Sequence, residues 1–339
     1  MTSPSLDQAY SAEMLSLAPL PESIAFLTQE WPSLLRGEFG VSWLDSLLAQ
    51  WLRVLGFLES KLRALVGLTP TDLGVLSLTV DPASNIGLAL VTALQEKQFL
   101  LNYQPQIDLR TGEILGVEAL MRWQHPQKGL ISPAEFIPVA EERGLIVPMG
   151  YWALEASCRQ YQAWLAAGMR PFKLAVNLSM RQLQEADLVE RIAEILTTTG
   201  MDTRYLTLEV TESCMVQNQD RVIAHLSSLQ KLGIHIAIDD FGVGYASLSV
   251  LKNFPVHTLK IDRSFLENLI PSSRNHVILG SIIELGHHLK LNLIAEGIEN
   301  LHQLQVLRGM NCHYGQGYFF SRPLASTSVC QYFQRPLYT

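Results

Sequence analysis

Residues 205–240 read YLTLEVTESCMVQNQDRVIAHLSSLQKLGIHIAIDD. Two short apolar runs, Tyr205–Thr211 and Ile234–Ile238, flank an amphipathic stretch, Asp220–Leu232. The runs are too short for helices and rich in β-branched residues, whereas the stretch between them has the helical period. Strand, helix, strand is the repeating unit of a parallel sheet. Acids stand in or just after each run: Glu209 and Glu212 with the first, Asp239 and Asp240 with the second.

The same texture extends in both directions. Further runs are Phe99–Pro105, Gly116–Trp123, Lys173–Ser179, Thr258–Ile261, Asn292–Ala295 and Gly317–Phe320. Helical patterns at Ser132–Arg143, Gly150–Ala167, Leu183–Thr199 and Asn275–Leu289 lie between them. Eight such units fit an α/β fold of the TIM (β/α)8 type. In such a barrel every strand end opens onto one face, so polar residues far apart in sequence converge there. The candidates are Glu118, Asn177, Glu209, Glu212, Asp239, Asp240, Lys260, Asp262, Glu296, Glu299 and Gln316. A single acid after a strand is ordinarily a helix cap or a solvated loop residue. Six strand ends bearing such residues in register argue for a site.

Many carboxylates on one small face repel each other and must be neutralised by protons, a lysine or metal ions. Oxygen ligands without histidine or cysteine suit Mg²⁺ or Mn²⁺ better than zinc. Adjacent carboxylates such as Asp239 and Asp240 can hold two ions close together, the arrangement that clamps a phosphoryl displacement. Lys260 could then orient or deprotonate a metal-bound water.

The remaining composition agrees. The chain has 339 residues, 48% of them hydrophobic and 17% charged, which excludes a disordered chain and is long enough for two domains. A net charge of -7 excludes a general DNA-binding role, so an anionic ligand would need a bound metal to attract it. Cys158, Cys214, Cys312 and Cys330 form no C-x-x-C pair, and reduced cytosolic thiols are the plain reading. The first twenty residues lack a basic segment before an apolar one, and no apolar run is long enough to span a membrane. A cytoplasmic protein is expected.

The texture changes near residue 85, which gives two regions, 1–85 and 86–339. From Ser42 to about Gly67, Leu44, Leu47, Leu48, Trp51, Leu55, Leu58, Leu62 and Leu65 recur at helical spacing. That stripe needs a partner: another helix of the chain, another subunit or a membrane surface. A segment with Thr69, Pro70, Pro82, Ser84 and Asn85 reads as a connector. The first region reads as a small, mainly helical dimerisation or signal-input module with a possible protein partner.

Taken together, the motifs from about Leu88 to Leu324 resemble the EAL domain, the cyclic-di-GMP phosphodiesterase family. They include Tyr103-Gln104-Pro105, the signature Glu118-Ala119-Leu120 with Arg122, Asn177, Glu209 to Glu212, Asp239 to Gly244, Lys260 to Asp262, Glu296 to Glu299, and Gln316 to Pro323. The resemblance implies a modified TIM barrel whose first strand runs antiparallel to the rest. It implies that Glu118, Asn177, Glu209 and Asp239 ligate one metal ion, and that Asp239 and Asp240 hold a second with Glu296 nearby. Lys260 would be hydrogen-bonded to the nucleophilic water, and cyclic di-GMP would be cut to linear 5′-pGpG. Arg122 would contact phosphate, while Gln104, Leu120, Asp262, Gln316 and Pro323 would line the guanine-binding groove. Glu212 would anchor the loop Asp240 to Ser247, which in the family couples a homodimer interface to the metals. Mg²⁺ or Mn²⁺ would support turnover and Ca²⁺ would inhibit it. Val243, Ala246 and His313 depart from residues usual in the family, and none is an expected metal ligand. The alternative is a catalytically silent cyclic-di-GMP receptor or scaffold.

Overall fold

The computed structural model describes residues 82–215, 218–243, 254–271 and 273–334, all within one compact unit covering 81–339. The helical stripe read at 42–67, and residues 244–247 of the loop, lie outside the described residues.

β1 (Phe99–Asp108) and β2 (Ile114–His125) form an antiparallel hairpin with Gln104 opposite Glu118. β3 (Gly129–Ile131) folds back on the end of β2. Then β4 (Lys173–Asn177), β5 (Leu206–Thr211), β6 (His235–Phe241), β7 (Thr258–Ile261), β8 (Asn292–Ala295) and β9 (Tyr314–Gly315) add to β2 in order, each parallel to the last. β9 pairs antiparallel with β1 and closes the sheet. Eight strands therefore form a barrel in which β1 runs against both neighbours, as the resemblance implied. The short β10 (Leu324–Ala325) covers the stretch of β1 at Asn102 and Tyr103 that two-residue β9 leaves unpaired.

Strand alternation sorts the side chains. The register places Glu118, Ala175, Asn177, Glu209, Ala237, Thr258, Lys260 and Ile294 on the inner face. Their neighbours Val117, Val176, Leu208, Ile238, Leu259 and Leu293 point outward and are fully buried beneath the helices. Burial on both faces explains why the strands read as nearly continuous apolar runs. The helical layer comprises α1 (Pro82–Gln95), α2 (Pro133–Glu142), α3 (Ile146–Ala166), α4 (Met180–Leu183), α5 (Leu188–Thr199), α6 (Gln219–Lys231), α7 (Arg274–His288), α8 (Leu301–Gly309) and α9 (Ser326–Phe333).

Three local readings differ. Pro82, Ser84 and Asn85, read as connector, open α1. Proline suits a first helical position because its missing N–H would have no partner there. Ile86, Leu90 and Ala93 of α1 are buried with Phe99, Trp123 and Phe136, so α1 covers the start of the barrel. The helix read at Leu183–Thr199 is two. Ser179 and Gln182 make a reciprocal cap that starts α4, tight turns at Gln184 and Glu185 end it, and α5 begins at Leu188. Finally, Gly317–Phe320 is no strand. The amides of Phe320 and Ser321 both bond to the Gly317 carbonyl and curl the chain, so the eighth strand is Tyr314–Gly315. The aromatic composition of that run imitates a strand.

Candidate active site

Lys260 of β7 is completely buried in the mouth of the barrel. An ammonium there needs compensation, and four carboxylates supply it. Its Nζ lies 2.5 Å from Glu209 Oε2, 2.8 Å from Glu296 Oε1, 3.0 Å from Asp239 Oδ1 and 3.3 Å from Glu118 Oε2. These acids come from β5, the end of β8, β6 and β2, so barrel closure alone brings them together. Two amides complete the cluster. Asn177 Nδ2 donates to Glu118 Oε1 at 2.9 Å. Gln316 Nε2 donates to Glu118 Oε2 at 2.8 Å and to Glu296 Oε1 at 2.7 Å.

The acids are not equivalent. Burial opposes the charge on Glu118, but Lys260 and the two amides outweigh it, and its carboxyl titrates below the usual range. Burial and then the Glu118 charge push Glu209 well above that range. Burial raises Glu296 to about 8, against the pull of Lys260. Burial and the neighbouring Asp239 raise Asp240. Burial disfavours the charge of Lys260, yet Asp239, Glu118, Glu209 and Glu296 hold its pKa well above the ordinary value. One ammonium is thus too little positive charge for this cluster, and the shortfall is met by retained protons.

The donor set fits divalent cations. Glu118, Glu209 and Asp239 form one group, and Asp239, Asp240 and Glu296 another; within each, one oxygen per residue lies within 4.8 Å of the others. Asp239 is common to both. Glu209 Oε1 is buried with no partner among the described residues, as a carboxylate oxygen awaiting a ligand would be. Consecutive strand residues ordinarily face opposite sides of a sheet. Asp239 and Asp240 share one side because the β6–β7 register shifts between Ile238 and Phe241, and because Asp240 has a left-handed backbone with φ 53°. The Asp240 amide also donates to Asp239 Oδ1 at 3.0 Å.

The EAL domain matches residues 88–323. The chain belongs to the EAL family. An uncharacterised Synechocystis protein is 43% identical over 241 residues, 71% of this chain and 35% of that protein. The bifunctional diguanylate cyclase/cyclic di-GMP phosphodiesterase MucR of Pseudomonas aeruginosa is 42% identical over 237 residues, 70% of this chain and 35% of MucR. This chain therefore spans about a third of the length of these curated relatives. The solved PaMucR phosphodiesterase, in complex with c-di-GMP, superposes with a TM-score of 0.69 at 40% identity, covering 72% of this chain and 99% of that one.

The other residues named from sequence lie as follows. Glu212 opens the turn after β5, is buried, and accepts from the Gly242 amide at 2.8 Å, tying β5 to the segment after β6. Gln104 is buried on β1 opposite Glu118. Leu120 and Arg122 continue the inner face of β2, and Arg122 Nη1 donates to the Met121 carbonyl at 2.8 Å. Asp262 follows Lys260 but caps the turn Arg263–Leu266 through the Ser264 amide. Pro323 precedes β10. Gln316, expected in the guanine groove, is a donor inside the carboxylate cluster itself. Gln106, two residues beyond Gln104 on the same face of β1, is also buried and was not named from sequence. The alternation Gln104, Gln106 was its signal.

Proposed function

We propose that this chain is a metal-dependent phosphodiesterase that hydrolyses cyclic di-GMP to linear 5′-pGpG with two divalent ions. The observation that carries the reading is the pair of carboxylate groups sharing Asp239 around a buried lysine. Glu118, Asn177, Glu209 and Asp239 would hold one ion; Asp239 and Asp240, with Glu296 beside them, the other. Such ions supply positive charge that acidifies water and offsets charge developing on a phosphodiester. The protein's own part is positional. Asn177 and Gln316 fix both oxygens of Glu118. Lys260 presents a permanent charge and a donor between the acids, placed to orient the attacking water. Arg122, half-buried beside the cluster, provides guanidinium donors for the phosphate ring. Gln104, Leu120, Asp262 and Pro323 line the groove that takes the bases. Glu212 holds the segment after β6, and with it Asp239 and Asp240.

Mg²⁺ or Mn²⁺ would support turnover, since both accept compact oxygen coordination. Ca²⁺, larger and less exacting in geometry, would occupy the site and inhibit. The same reading takes residues 1–85 as a helical dimerisation or input module and the chain as a cytoplasmic homodimer.

The test is turnover of cyclic di-GMP by purified protein with Mg²⁺ or Mn²⁺, the product identified by chromatography. Linear pGpG that forms only with metal, and is lost in Glu118→Ala, is the expected result. Folded protein that binds the nucleotide without cutting it would instead make the chain a silent receptor.

A further inference from the structure

A cavity lies at the end of the barrel opposite the carboxylate cluster. β1 runs against the other strands, so its last residue, Asp108, lies beside Tyr314, the first residue of β9. A cavity of about 580 Å³ opens there, lined also by Arg110, Arg308, Asn311 and His313. Its size falls in the range of small-molecule sites, about 300–1,000 Å³.

Several acceptors around it are taken, while Asp108 Oδ2, Asn311 Oδ1 and Nδ1 of His287, which also lines it, have no partner among the described residues. The Leu109 carbonyl accepts from Arg308 Nε at 2.6 Å, and the Asn311 carbonyl bonds to His287 Nε2 at 3.1 Å. Asp108 Oδ1 accepts from the amides of Arg110 and Thr111, leaving only its second oxygen. The His313 carbonyl accepts from the Leu109 amide.

The donors stand on exposed side chains. His313 Nδ1 accepts from the Leu293 amide at 3.2 Å, so the neutral ring carries its proton on Nε2. That Nε2–H, the Arg110 guanidinium, the remaining Arg308 nitrogens and the Asn311 amide have no hydrogen-bond partner among the described residues. The lining side chains Arg110, Arg308, Asn311 and His313 are exposed, and two guanidinium groups against one aspartate give it the charge balance that suits an oxyanion. We propose that this cavity binds a small phosphate-bearing anion, independently of the carboxylate cluster.

Calorimetric titration of the full chain with inorganic pyrophosphate, in EDTA, tests this. One binding event is expected, weakened about tenfold or more by Arg110→Glu and weakened by added salt. His313→Asn should weaken it too, because it keeps an acceptor for the Leu293 amide but loses the Nε2–H. Arg110 is exposed and has no side-chain partner, so Arg110→Glu should melt like the parent and turn over cyclic di-GMP unchanged. Absence of heat in the unmodified chain at millimolar pyrophosphate would overturn the proposal. So would heat that survives Arg110→Glu and vanishes in Arg122→Ala, because the anion would then sit in the other mouth of the barrel.

Discussion

Lys260 sets the electrostatics of the active site. Removing one partner of a buried charge network leaves the rest uncompensated, typically at about 3–5 kcal/mol. Lys260→Met should therefore lose about that much stability in urea unfolding with EDTA, and the deficit should deepen as pH rises and the acids ionise. Mn²⁺ should restore part of it by supplying the missing charge. Stability equal to the parent's would mean that the ammonium does not neutralise the cluster. The raised carboxyls carry a second expectation. Glu209 titrates well above the usual range and Glu296 at about 8. An ion that needs them as carboxylates must displace their protons. Metal affinity should rise with pH up to about 8, with protons released at neutral pH in a weakly buffered Mn²⁺ titration. A pH-independent affinity with no proton release would contradict this.

At the scale of elements, the turn after β9 is the sensitive joint. Gly317 lies so close to the loop after β8 that an added Cβ would collide with the Ile298 carbonyl oxygen and nitrogen. Backbone atoms cannot swing aside as a side chain can. Gly317→Ala should destabilise by about 1–3 kcal/mol, as overpacking does, and should also displace Gln316 from Glu118 and Glu296. Thermal melting reads the first effect and turnover the second; an unchanged melt would show that the loop yields freely. The same segment shows why composition misled. Tyr318, Phe319 and Phe320 have strand-like chemistry, yet Gly317 accepts two amides and turns the chain. The β6 bulge is comparable: Asp239-Asp240 is plain in the sequence, but only the register shift and the left-handed Asp240 put both carboxylates on one side.

At the scale of the whole molecule, α1 belongs to the barrel. A chain starting at Asp81 keeps α1 and is the reference. One starting at Phe99 loses the cover of Ile86 and Leu90 and should be less stable by about 3–6 kcal/mol, at about 1.5–3 kcal/mol per large apolar side chain. Equal melting of the two shortened chains would show that α1 contributes nothing. The end of the barrel away from the acids also predicts a pH response. His235 and His257 stack there with ring centroids 4.7 Å apart. Burial, then Lys173 and His257, lower His235 from 6.5 to about 4. The unfolded chain therefore binds more protons in that interval, so this stability is complete above pH 6.5 and is lost as pH falls toward 4. The fall in melting temperature over that range should be shallower in His235→Gln; an identical slope would remove His235 from the account.

The alternation of short apolar runs with amphipathic helices, and hence the barrel class, is written in the residue order, because strands buried on both faces are largely apolar. The sequence also determined which residue types stand at the strand ends, and the EAL motifs with them. Local chemistry is enough for both. It did not determine that Gln316 bonds into the carboxylate cluster, that Asp240 joins Asp239 on one side, or that α1 packs over the hairpin. Nor did it show that donors from the turn after β1, from α8 and from the segment before β9 gather around one cavity. Those depend on register, on a bulge and on closure of β9 against β1, which bring together groups as much as two hundred residues apart. Spacing along a chain carries no record of such approaches; they arise only when the barrel closes.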